Sequence, residues 1–133
     1  MKTYADAGIY FRAWRHPVAA RRLKALRLLT ERTIEVSVWL QLEVLAKPTA
    51  FRNSAEVEFF RTWFPSTPLP VPPEVIASAW KLASRHGVSA VDALHLASAL
   101  AAGCLEFVTL EDTAKPMFGI RGLSVLHLDD VVL

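Results

Sequence analysis

Asp6, Glu43, Asp92 and Glu111 are acids embedded in strongly apolar stretches and spread from one end of a 133-residue chain to the other. Taking an ionised carboxylate out of water costs several kcal/mol unless it is paired, hydrogen-bonded or bound to a metal. Several such residues far apart in sequence suggest convergence on one cation, with Asp112 able to replace Glu111 through a local shift in the turn. Carboxylates without a Cys or His ligand suit magnesium or manganese better than zinc, because hard cations prefer oxygen and magnesium keeps several waters. Such an ion lowers the pKa of a bound water and neutralises charge on a scissile phosphate, which permits in-line attack on a phosphodiester. Without it, carboxylates in one crevice repel and at least one pKa rises. Metal binding should then release protons and stabilise the fold.

Each acid also has a local structural reading. Asp6 can cap the helix that follows it, and Asp92 lies three positions after Ser89 in a capping-box pattern. Glu43 is too far inside its helix to cap, but Lys47 stands one turn away as an ion-pair partner. Glu111 and Asp112 can be turn residues. His95, one turn beyond Asp92, reads as a packed, hydrogen-bonded helix residue rather than a catalytic one. His16, His86 and His127 form no constellation with a nucleophile, no Ser or Cys has a triad context, and no glycine-rich phosphate loop is present.

Strands and helices alternate along the chain. A strand over residues 3–5 ends at Asp6 and leads into a helix with Ile9, Tyr10, Phe11, Ala13 and Trp14. Pro17 opens a second, basic amphipathic helix carrying Arg21, Arg22, Lys24 and Arg27. A strand over 33–36 precedes Ser37, the cap of the helix that bears Glu43. Asn53 or Ser54 caps a helix with Val57, Phe59, Phe60, Trp63 and Phe64 that stops at Pro65. Leu69 to Val71 reads as a short edge strand, Pro72 and Pro73 introduce a helix over 74–86 closed by Gly87, and a further helix runs from Ser89 to Gly103. Strands over 106–110 and 123–128 follow, with Gly119 and Gly122 breaking a helical turn between them. This alternation argues an α/β fold with a mostly parallel sheet covered by helices. Functional crevices in such sheets lie beyond the carboxyl ends of the strands, where Asp6 and Glu111 stand.

The length suits one domain over 1–133, and 53% hydrophobic with 21% charged residues excludes a disordered chain. Formal charge is +2, but setting four carboxylates aside for a metal leaves a distinctly more basic surface, compatible with nucleic acid. Arg12, Arg15 and the second helix offer phosphate contacts, or simply a solvated face. The tryptophans are mainly core candidates, while the aromatic excess from Phe59 to Phe64 offers a groove for a protein partner. Cys104 is alone, so no intrachain disulfide forms, and neither a signal peptide nor a long apolar span is evident. A soluble protein of the reducing cytoplasm is the expectation.

The opening Met-Lys-Thr-Tyr-Ala-Asp, the segment Val-Ser-Val-Trp-Leu-Gln-Leu-Glu-Val-Leu, the segment Ser-Ala-Val-Asp-Ala-Leu-His-Leu-Ala-Ser-Ala-Leu and Glu-Phe-Val-Thr-Leu-Glu-Asp together resemble the PIN domain family, especially VapC-type toxins. The resemblance covers nearly the whole chain, and its third segment is the most specific. It implies a PIN-like three-layer fold and metal roles for Asp6, Glu43, Asp92 and the acid at Glu111. It further implies magnesium- or manganese-dependent cleavage of RNA leaving a 5′-phosphate, a cognate antitoxin and a homodimer. The chain departs from the family pattern at Ala7 and Gly8, where small hydroxyl or amide residues usually follow the first aspartate, and at Glu111, usually an aspartate. The alternative is therefore a catalytically weakened PIN-like scaffold that binds RNA or a protein partner. A receiver-like signalling domain also places acids at strand ends, but the proline-rich segment and the Glu-Asp end of the late strand fit it poorly.

Overall fold

Short runs rich in β-branched and aromatic residues form four strands, β1 (Lys2–Ala5), β2 (Thr33–Glu35), β3 (Glu106–Thr109) and β4 (Ser124–His127), in the computed structural model, which describes residues 1–133. All pairings are parallel, in the order β2-β1-β3-β4. Parallel strands need long crossovers, and six helices flanking the sheet supply them. These are α1 (Ala7–Arg15), α2 (Ala19–Glu31), α3 (Val38–Ala50), α4 (Ser54–Arg61), α5 (Pro73–His86) and α6 (Ala90–Ala101). The central strands are buried along their length, since all of β3 and all of β1 except Lys2 lie inside.

Sequence sets the helix ends. Ser37 accepts the Leu40 amide at 3.0 Å to start α3, Asn53 accepts the Glu56 amide at 3.1 Å to start α4, and Ser89 accepts the Asp92 amide at 3.2 Å to start α6. Pro73 opens α5 where no amide is needed, and Gly87, at φ +70°, closes it in the left-handed region. No helix is long and apolar enough to cross a membrane.

One core of 28 buried hydrophobic residues joins sheet and helices. Tyr4 stacks on Phe107 across the β1–β3 pair, with ring centroids 5.4 Å apart, while Phe60 packs edge-on to Phe11. Complete burial of each such side chain contributes about 1.5–3 kcal/mol. At the amino-terminal end of the sheet, Arg32 Nε and the Thr3 hydroxyl both donate to Glu106 Oε1, at 2.8 and 2.6 Å, so this buried acid is paired.

The α/β architecture and parallel sheet agree with the sequence reading, but several details differ. Leu69 makes only a single bridge with Ser37 and not a strand, because the surrounding prolines remove the amides a ladder requires. Pro17 precedes α2, whose cap is Val18. Helix α6 ends at Ala101. The aromatics of α4 do not form an open groove: Phe60 is fully buried, and Phe59 sits between Trp14 and Trp63 at 4.9 and 4.8 Å.

Candidate metal centre

The chain leaves β1 toward β2 on one side and leaves β3 toward β4 on the other, so the connections diverge above the β1–β3 pair. A crevice at such a switch point is where open parallel sheets bind ligands. Asp6 immediately follows β1, and Glu111 lies two residues beyond β3. Helices α3 and α6 bring Glu43 and Asp92 to the same place. A cavity of about 350 Å³ is lined by Asp6, Glu43, Asp92 and Glu111 together with His95 and Thr109. All four acids are half-buried, whereas Asp112 is exposed and outside the lining.

The local explanations for the acids largely fail. Asp6 occupies the N-cap position of α1, but its side chain makes no capping bond. Its Oδ2 instead accepts the Thr109 hydroxyl at 2.5 Å, and Thr109 Oγ1 in turn accepts the Glu111 amide at 3.1 Å. Asp6 Oδ1 is sealed within the protein and has no partner. Ser89 caps α6 through the amide of Asp92 without using its carboxylate. Glu43 does not pair with Lys47; its Oε1 lies 3.3 Å from His95 Nε2. Glu111 Oε2 meets Lys115 Nζ at 2.6 Å on the rim. Asp112 is a turn residue whose Oδ1 accepts the Ala114 amide at 2.8 Å.

Electrostatics follow from this placement. Burial pushes the Asp6 carboxyl from 3.8 up to about 6, opposed by the Thr109 hydroxyl and reinforced by Asp92 and Glu111. Burial also raises the Tyr4 hydroxyl, with Glu43 and Asp6 adding to the effect, so this phenol stays protonated. The Lys115 ammonium is held above its ordinary value by its hydrogen bond to Glu111.

A hard divalent cation fits this donor set. Asp6, with one oxygen unpartnered, lines a pocket whose other acids are also oxygen donors, without a thiolate. The side chains do not already close into a three-ligand cage. Magnesium, which retains several waters, can be held by carboxylates that reach it partly through them.

Two residues of the site were not singled out from sequence as members. Thr109, the last residue of β3, links Asp6 to the Glu111 turn. His95 is packed and hydrogen-bonded, as read, but also lines the cavity and approaches Glu43. Its position three residues after Asp92, on the same face of α6, was the available signal.

Solved structures share this fold. A crystal structure of VapBC2 from Rickettsia felis bound to a DNA fragment from their promoter aligns at a TM-score of 0.71, with 15% identity, over 96% of this chain and 98% of that one. The crystal structure of Mycobacterium tuberculosis VapC20, a Sarcin-Ricin loop cleaving toxin, aligns at 0.63 with 18% identity, over 88% of this chain and 94% of that one. No curated protein matches the sequence. The sequence profile of the PIN domain, however, matches residues 3–114, a stretch that runs from the middle of β1 past the Glu111 turn and carries all four pocket acids, and the chain belongs to the PIN domain family.

Proposed function

We propose that this chain is a toxin-type endoribonuclease in which Asp6, Glu43, Asp92 and Glu111 hold magnesium or manganese. The observation that carries the reading is Asp6, a largely buried carboxylate with one oxygen lacking any partner, in the lining of a cavity shared with acids from three other parts of the chain. An unpaired charge in that position is costly, and a divalent cation is the counter-ion that four oxygen donors suit. When bound, the ion would activate a water and neutralise charge on the scissile phosphate. The protein's part is orientation: Thr109 fixes one oxygen of Asp6 and leaves the other free, and the ends of β1 and β3 hold that pair rigidly. Lys115, which has little packing around it, is available to move from Glu111 to an RNA phosphate.

The likeness to a VapBC complex and to a Sarcin-Ricin loop cleaving toxin supports RNA as substrate and a cognate antitoxin as partner. Further support for a protein partner comes from the apolar face between α5 and α6, where Trp80 is 75% exposed and Ile76 is 45% exposed beside Ala79, Ala83, Ala90 and Ala93. A homodimer is the second assembly proposed for that face, and the cytoplasm is the proposed location. A second reading, a PIN scaffold with weakened chemistry, is favoured by Gly8, which offers no side chain to the unpartnered Asp6 oxygen. Incubating chelator-treated protein with end-labelled structured RNAs tests the enzyme reading. Cleavage restored by manganese and absent from Asp92→Asn supports it; no cleavage by folded, manganese-bound wild-type protein favours the scaffold.

A further inference from the structure

A buried hydrogen-bonded chain ties together the three elements that carry Asp6, Glu43 and Asp92. Ser37, fully buried, caps α3 by accepting the Leu40 amide at 3.0 Å. Its Oγ lies 2.7 Å from the hydroxyl of Tyr4, on β1 two residues before Asp6. The Tyr4 hydroxyl is also 2.6 Å from Nδ1 of His95, on α6 one turn after Asp92. His95 is 2% exposed, and its Nε2 turns to Glu43 Oε1 at 3.3 Å without the alignment of a formed hydrogen bond.

Proton counting assigns the direction of the chain. Ser37 and Tyr4 have one hydroxyl hydrogen each, and a neutral imidazole has one N–H. If Tyr4 donated to Ser37, the Ser37 hydrogen would have no acceptor among its bonded neighbours, and His95 would have to be protonated at Nδ1. A neutral ring would then turn a lone pair toward the Glu43 carboxylate. The opposite direction satisfies every hydrogen: Ser37 donates to Tyr4, Tyr4 donates to His95 Nδ1, and Nε2 carries the proton that faces Glu43.

From this we infer that His95 is a positioning residue, held as its Nε2–H tautomer by Tyr4 and Ser37 so that it orients the Glu43 carboxylate within the acid cluster. The inference rests on the reading of Glu43 as a cation ligand. Hydrogen-bonded partners behind a ligand set its orientation, and removing them commonly weakens metal binding by about 10–100-fold. The 3.3 Å approach leaves Glu43 room to tighten onto Nε2–H when the pocket is filled.

Two measurements on the full chain test it. Nitrogen NMR of the imidazole in metal-free protein is expected to show a neutral ring protonated at Nε2 in the wild type, and a mixture of tautomers in Tyr4→Phe, which keeps the ring packed on Phe107 and removes only the hydroxyl. Manganese affinity, read by paramagnetic resonance of the free ion, should fall roughly tenfold or more in Tyr4→Phe and His95→Leu. It should stay within about threefold in His95→Gln, which retains a donor, so that a purely structural role cannot explain the pattern. A wild-type ring protonated at Nδ1 would overturn the inference. So would wild-type manganese affinity in folded Tyr4→Phe, which decides the matter even where His95→Leu fails to fold. Wild-type protein that binds no manganese removes the cation reading and this inference with it, whereas tight wild-type binding with unaffected variants removes the positioning role alone.

Discussion

Replacing Asp6 by Asn should make the metal-free protein more stable, although it removes a central residue of the site. Asp6 ionises at about 6 in the folded protein and at 3.8 ordinarily, with burial as the main cause. Between about pH 4 and 6 the folded state therefore keeps a proton that the unfolded state has released, and stability falls as pH rises through that window. At about 1.4 kcal/mol per pH unit, the ionised carboxylate costs about 3 kcal/mol above pH 6. Asn keeps an oxygen for the Thr109 hydroxyl and replaces the unpartnered Oδ1 with an uncharged amide nitrogen. In a chain of 133 residues, 3 kcal/mol corresponds to roughly 10 °C in Tm. Thermal unfolding in chelator at pH 8 should show Asp6→Asn melting higher by about that much, with the gap closing near pH 4. Manganese at about a hundred times its Kd should then raise the wild type by about 2.7 kcal/mol and leave the variant unmoved. A metal-free variant that melts no higher than wild type at pH 8, or a gap independent of pH, would show that the buried Asp6 charge does not destabilise the folded state.

Further tests address individual contacts. Gly8→Ser places a Cβ in ordinary contact with Asp6 Oδ1, at 3.5 Å, and gives that oxygen its missing donor; the Asp6 pKa, followed by carboxyl NMR, should fall from about 6, and an unchanged value would mean that the new hydroxyl does not offset the burial that raises it. Arg32→Leu strips the buried Glu106 carboxylate of its cation and should cost about 2–3 kcal/mol in urea unfolding, with Glu106→Leu restoring part of it in the double variant; a loss below about 1 kcal/mol would mean that the Thr3 hydroxyl suffices. Burial pushes the Cys104 thiol up to about 11, so a thiol reagent at pH 8 should label it only as fast as the protein opens, and labelling at the rate of a free thiol would contradict its packing.

Much of this organisation was legible because local chemistry and tertiary structure agree. Ser37, Asn53, Ser89 and Gly87 punctuate the helices by the groups they present to backbone, so their elements could be read one at a time. The acids stood out because burial makes charge conspicuous, and the structure gathers Asp6, Glu43, Asp92 and Glu111 around one cavity. Asp112 was less legible, since an acid beside a strand end looks the same whether it faces the pocket or closes a turn. Ser37 read only as a cap, and the contacts of Tyr4 with Ser37 and His95 join residues 33 and 91 positions apart, which no local pattern encodes. The α4 aromatics read as a groove because hydrophobicity alone does not say which partner covers a face; here Trp14 and Phe11 do.

Four acids gathered on one cavity should hold a single divalent ion. Anomalous diffraction from crystals of the chelator-treated protein soaked in manganese tests it most directly. A peak is expected in the cavity above β1 and β3, contacted by Asp6 directly or through water, and absent from crystals of Asp6→Asn. A cavity without a peak at saturating manganese, or a peak that persists in Asp6→Asn, would contradict it.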